Sequence, residues 1–395
     1  MPVKSDLAPY ASKYATSRGR LFDEQEAPTR SPFQRDRDRV IHCSSFRKLK
    51  HKTQVFVYHE GDYYRTRLTH SIEVAQIARS LARSLRLDED LTEALALAHD
   101  FGHTPFGHAG EDALNAVMAP YGGFDHNAQT IRILTRLEER YGAFDGLNLT
   151  WEALEGLAKH NGPLVAAPID PKAPPPSVPH GIAAYLASQD LELHTYASAE
   201  AQVAAIADDI AYNNHDIDDG LRAGLFSLKA LREIDFIGRI VDEVEGLYPN
   251  IAPGRLSHEL VRRLINLMAS DVLAEADRRL AALDPGDVDA IRAHGQPVIV
   301  FSETMVAQDR VLKAFLMERM YRHEKVNQMS EKAKKVVTDL FNLYIEEPRR
   351  LPEEWAARAE GRDRAQFARM VADFIAGMTD RYALQEHTRN FNRKS

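Results

Sequence analysis

From Thr69 to Leu85, apolar residues return at Val74, Ile77, Ala78, Leu81, Ala82 and Leu85, the spacing of one buried helix face. His70 stands four residues before Val74 and so belongs to that face. A second stripe, Leu91, Ala94, Leu95 and Ala98, runs straight into His99-Asp100, after which Gly102, Pro105 and Gly107 force a tight turn. Three histidines and a carboxylate thus crowd into Ala98–His108, where a buried helix stops. This pattern predicts a helical core with polar, chemically active groups at its helix ends.

The rest of the chain reads as more helix. One is expected from about His108 to Met118 and another over Glu200–Ala211; helical periodicity also marks 226–285 and 305–345, interrupted by Pro249, Pro253, Pro285 and Pro297. The run Pro297-Val298-Ile299-Val300-Phe301 fits either a strand or a buried turn. Residues 163–179 hold seven of the nineteen prolines, which excludes helix interior and predicts an extended surface loop. No internal repeat and no glycine-rich phosphate loop is present.

Composition narrows the class. A chain of 395 residues, 44% hydrophobic, buries a sizeable core. The single cysteine, Cys43, excludes an internal disulfide framework and multi-thiolate zinc sites. The start, Met1 to Asp6, has no apolar signal core, and no segment approaches the roughly 20 apolar residues of a membrane span. A cytoplasmic protein without membrane contact is therefore expected. The formal charge of -8 is uneven: residues 1–67 carry 14 basic against 8 acidic groups, a surplus of six. Two readings of Arg35-Asp36-Arg37-Asp38-Arg39 follow, a local positive field for a small polyanion or a solvated, self-paired surface helix.

Four polar residues occupy buried or terminal positions of apolar helices: His70, His99, Asp100 and Asp208. Val203–Tyr212 is apolar on nearly every face except for Asp208-Asp209. A buried, unpaired carboxylate costs several kcal/mol, roughly, so at least one of the pair needs a cation or a strong donor set. Imidazole and carboxylate together suit a first-row divalent ion, Mn, Fe, Co, Ni or Zn, or more weakly Mg. His103, His108, Glu111 and His126 are the natural proton handlers nearby, because imidazole titrates near neutrality. His108 and Glu111 are i,i+3 on one helix, so the carboxylate can orient the ring. Arg67, three residues before His70, sits about one turn from the metal.

The segments Arg65-Thr66-Arg67-Leu68-Thr69-His70-Ser71, His99–His108 and Ala207–Tyr212 resemble the HD-domain deoxynucleoside triphosphate triphosphohydrolases. So do Ser31–Arg39, Phe46–Val55 and Gly377–Ala383, and the resemblance covers most of the chain. It implies an all-α HD core with additional C-terminal helices. It also implies a divalent metal on His70, His99, Asp100 and Asp208, and hydrolysis of dNTPs, dGTP or broader, to deoxynucleoside and inorganic triphosphate. It gives catalytic weight to His108 and Glu111, with His126 lining the same pocket. Arg47 and Gln54 become candidate substrate contacts, Tyr212 a platform for deoxyribose, and Asp216 a contact one turn further along the helix. A homo-oligomer, a hexamer by resemblance, is expected. The expected organisation is a basic arm with helices over 1–64, an HD core over 65–225 and a C-terminal helical region over 226–395 of the same globule.

Two rival readings remain from sequence alone. One is an HD-type phosphohydrolase acting on other nucleotides. The other is a nucleotide-sensing or single-stranded-DNA-binding protein with a vestigial metal site, for which the basic arm speaks.

Overall fold

Three helices carry the candidate ligands, and each has its start signal in the sequence. Arg67–Ser84 opens on a capping box in which the Thr66 N–H donates to Thr69 Oγ1 at 3.1 Å. Glu89–Ala98 is capped by Asp88, whose carboxylate accepts from Leu91 N at 2.9 Å. Ala199–Arg222 is capped by Ser198 and runs eleven residues past Ala211, the end expected from sequence. The apolar stripes read from sequence are the buried faces, and all three helices pack on one another. Burial of those stripes stabilises the trio at roughly 25 cal/mol per Å² of apolar surface.

The computed structural model describes residues 7–54, 64–165 and 178–391. Among these the chain is all-α, from Pro32–His42 to Asp380–Phe391, with only isolated β-bridges such as Arg20 with Thr150. The expected third helix is present as Gly107–Met118. Val298–Phe301 is a buried turn and not a strand: the Val298 and Ile299 N–H groups both donate to Gln202 Oε1, at 2.8 and 3.1 Å. Of the proline-rich stretch, residues 166–177 lie outside the described residues. No described helix is long and apolar enough to cross a membrane.

The charged run Arg35–Arg39 departs from the solvated reading. It lies in the Pro32–His42 helix, where Asp36 is fully buried and accepts from Arg20 NH1 at 2.5 Å and from Thr150 N at 2.9 Å. Arg39 is buried as well, donating to the Leu147 and Asn148 carbonyls and forking onto Glu24. Arg37 pairs with Asp38, Asp90 and Glu93. These charges fasten the arm to the core.

Two hydrophobic clusters meet at the His99–His108 turn. The first gathers the three central helices with apolar residues as far as Met320. The second sets Phe106, Leu114 and Met118 against Val337, Phe341, Tyr344, Val371 and Phe374 of the C-terminal helices. Asp380 fastens the seam. Its buried carboxylate accepts from Phe106 N and Thr53 N, both at 2.9 Å, and from Thr53 Oγ1. Lys52 Nζ donates to the carbonyls of His103 and Ala376, the latter at 2.9 Å. Asp380→Ala orphans two buried backbone donors at about 1–3 kcal/mol each. Urea denaturation is expected to show a loss of roughly 2–6 kcal/mol; a change below about 1 kcal/mol would show that Asp380 does not hold the turn.

Candidate active site

His99 closes the Glu89–Ala98 helix with both ring nitrogens out of contact with water. Its Nδ1 lies 2.7 Å from the Ala96 carbonyl, which only accepts, so the proton of the neutral ring sits on Nδ1. Nε2 is left as a bare lone pair, buried and without a hydrogen-bond partner. It points between two acids, 3.4 Å from Asp100 Oδ1 and 3.6 Å from Asp208 Oδ1. Three acceptors facing one another, with His99 and Asp100 buried and Asp208 partly so, are destabilising unless a cation joins them.

His70 completes this pocket. Its Nε2 is 2.8 Å from Asp208 Oδ1, and its Nδ1 is 3.0 Å from Nδ1 of His215, whose Nε2 meets Glu73 Oε2. With His215 donating to Glu73, its Nδ1 accepts from His70 and leaves His70 Nε2 free to ligate. Ligand atoms of His70, His99 and Asp208 all lie within 4.8 Å of one another, and Asp100 adjoins them through His99. Two imidazole nitrogens and two carboxylates make a donor set that fits a divalent ion. Burial opposes ionisation of Asp100, but Arg67 at 2.8 Å, with His99 and His103, holds its carboxyl well below the usual range.

The second half of the site follows from the turn. A side chain at Gly102 would place its Cβ 1.9 Å from the His126 carbonyl, so only glycine lets the His126–Arg132 helix come this close. The ring of His126 stacks on that of His103 at 4.0 Å between centroids. Glu111 Oε1 accepts from both Nδ1 and N of His126, at 2.8 and 2.9 Å, and Oε2 lies 3.4 Å from His108 Nδ1. Burial opposes charge on Glu111, yet the hydrogen bonds from His108 and His126 hold its carboxyl far below the usual range. Burial likewise works against charge on His126, and Glu111 overrides it and raises the imidazole. His103, buried and facing Arg67 and His126, is held well below 6.5 although Asp100 is 3.2 Å away. The set offers one ring shifted down and one shifted up. This separation of two like groups is what acid–base chemistry requires.

A cleft of about 170 Å³ opens beside these groups, lined by Gln54, Phe106, His108, Tyr212, Tyr321 and neighbours. Gln54 is buried, with its Oε1 unpartnered among the described residues. The Tyr212 hydroxyl is 2.5 Å from that of Tyr321, which also bonds Asp216 Oδ2. Burial, with Asp219 nearby, pushes Asp216 up to about 8.

Residues 67–213 match the HD domain and residues 299–389 the phosphohydrolase-associated domain. A deoxyguanosinetriphosphate triphosphohydrolase-like protein of Brucella ovis is 58% identical over 390 residues, 98% of this chain and 96% of its own length. Deoxyguanosinetriphosphate triphosphohydrolase-like protein 1 of Mesorhizobium japonicum is 59% identical over 98% of this chain and 95% of its own. The like-named protein of Parvibaculum lavamentivorans is 56% identical over 99% and 98%. The chain belongs to the deoxyguanosinetriphosphate triphosphohydrolase-like family. It is an HD-domain phosphohydrolase of a nucleotide triphosphohydrolase family.

In this triphosphohydrolase-like chain, the fold gathers His70, His99, Asp100 and Asp208 in one pocket and His103, His108, Glu111 and His126 beside it. Arg67 lies against Asp100; Gln54 and Tyr212 line the cleft, and Asp216 meets its wall through Tyr321. Arg47 stands apart from them: it is exposed and donates to His42 O and Ser44 Oγ. Asp209 is exposed and pairs with Lys313. Sequence reasoning missed Glu73, His160, His215 and Tyr321. Glu73 and His215 carried a usable signal, standing three residues after His70 and seven after Asp208 on the same helices. His160, stacked on His99 at 5.4 Å, and Tyr321 come from distant segments with no local sign.

Proposed function

We propose that this protein hydrolyses deoxynucleoside triphosphates, dGTP among them, to deoxynucleoside and inorganic triphosphate. The observation that carries this reading is the bare, buried Nε2 of His99 aimed between Asp100 and Asp208, with the hydrogen-bonded Glu111–His126 pair reached from Asp100 through His103. His70, His99, Asp100 and Asp208 would hold a divalent metal, which when bound supplies Lewis-acid polarisation at a phosphoryl oxygen. Arg67, with its Nε buried and unpartnered, places a fixed positive charge at the phosphates. Hydrolysis breaks the bond between the α-phosphorus and the 5′ oxygen. His103, whose surroundings disfavour its charged form, is suited to accept the proton of the attacking water, and His126, whose charged form Glu111 favours, to return one to the departing 5′ oxygen. Glu111 fixes His126 and His108, and His108 lines the cleft where the nucleotide enters. Gln54, Tyr212 and Asp216 would meet the sugar.

A cytoplasmic homo-oligomer, a hexamer, is part of the same proposal. The test is turnover of each dNTP with each of Mg, Mn, Fe, Co, Ni and Zn, scoring released phosphorus species. Inorganic triphosphate is the expected product, lost on chelation. Phosphate or pyrophosphate would favour an HD phosphohydrolase of other specificity. No turnover with any pair, together with salt-sensitive single-stranded DNA binding, would favour the sensing alternative.

A further inference from the structure

Behind the His126–Arg132 helix lies a second cavity of about 200 Å³, whose lining includes Asn115, Gly123, Gln129, Arg132, His180 and Arg369. Arg369 is 8% exposed, and among the described residues it makes no ion pair. Its NH2 donates only to the carbonyls of Tyr121 and Gly123, at 3.1 and 2.8 Å. The nearest acid, Asp373, is already taken: Arg132 forks onto it at 2.7 and 2.6 Å, and Gln129 adds a third bond at 3.1 Å. An acid of the lining itself, Asp125, turns to the Ala128 N–H at 2.7 Å and lies toward Glu111 and His126. A buried guanidinium without a counter-charge is costly, and it faces open space.

The surroundings keep that space accessible and positive. Gly122 has φ +91, and a Cβ there would stand 3.8 Å from Arg369 NH2, so a longer side chain would crowd the guanidinium. Gly181 lets the His180–Leu186 helix press on the Ala128 carbonyl, which fixes the opposite wall. Burial lowers the His180 imidazole, and Arg369 and Arg132 lower it further against the opposing pull of Asp373.

We propose that this cavity binds a phosphate-sized oxyanion, separate from the candidate active site, with Arg369 as its principal donor and His180 at its rim. The ligand chemistry is a phosphate group, either inorganic phosphate or the phosphate of a nucleotide. The site shares a loop with the catalytic groups: Phe124 N is held by Asn115 Oδ1, and His126 N by Glu111.

The test is calorimetric titration of the full chain, stripped of metal, with inorganic phosphate, with dAMP and with deoxyadenosine. Phosphate binding is expected, at least about tenfold weaker in His180→Asp and abolished in Arg369→Gln, but unchanged in His108→Ala. In the part of the binding that His180→Asp weakens, equal affinity for phosphate and dAMP assigns the site to the free ion and tighter dAMP binding assigns it to a nucleotide; deoxyadenosine, which can reach the candidate active site, should show no such part. Arg369→Gln also loses two carbonyl bonds and risks misfolding. His180, exposed and without a hydrogen bond or ion pair among the described residues, then carries the test alone. No phosphate binding to the unmodified chain, or binding unaffected by His180→Asp, overturns the proposal.

Discussion

Asp208→Ala is expected to abolish triphosphate release, by about 10³-fold or more in kcat/KM, while the protein stays folded. His99→Ala should do the same. The reason is shared: each removes one of four donors converging from three helices, and a fall of that size corresponds to about 4 kcal/mol of transition-state stabilisation. Folding should survive. Asp208 is an acid packed against two histidines and within 3.6 Å of His160, so removing it relieves a charge that is partly buried when no cation is bound. Release of inorganic triphosphate, read beside far-UV circular dichroism, checks both halves. Near-normal turnover in both variants would refute the metal assignment.

Glu111→Gln is expected to cost about 10² to 10⁴ in kcat, the range of general acid–base catalysis. Its pH dependence is the more diagnostic readout. Glu111 is what raises His126, so the amide lets the imidazole fall and moves the alkaline limb of the rate profile to lower pH. Stability follows with a definite sign. His126, raised in the fold, stabilises fully below its ordinary 6.5 and loses this as pH rises through the raised value. Glu111, lowered in the fold, stabilises fully above its ordinary 4.5 and loses this only in strong acid. The difference in melting temperature between wild type and Glu111→Gln should therefore be largest between about pH 4.5 and 6.5. A difference that grew towards alkaline pH would contradict the pairing.

Much of this was legible before any coordinates. Helical spacing marked the faces of Arg67–Ser84 and Glu89–Ala98, because one-sided burial imposes that period whatever the tertiary partners. Acids and histidines at positions the period reserves for apolar groups marked His70, His99 and Asp208. What stayed hidden depends on long-range contacts. Asp36 sits in a run of alternating charge that looks solvated, and only its bonds to Arg20 and Thr150, over a hundred residues away in one case, make it a core residue. The hydroxyl relay from Tyr212 through Tyr321 to Asp216 spans more than a hundred residues and has no periodicity to betray it. Arg47, singled out by resemblance, turns instead to its own helix end.

The most direct test of the central claim is anomalous scattering from a crystal grown with Mn²⁺. One strong peak is predicted about 2.0–2.3 Å from Nε2 of His70, Nε2 of His99 and carboxylate oxygens of Asp100 and Asp208. A peak lodged instead among His103, His108 and Glu111, whose ligand atoms also come within 4.8 Å of one another, would contradict the account, as would the absence of any peak between His99 and Asp208.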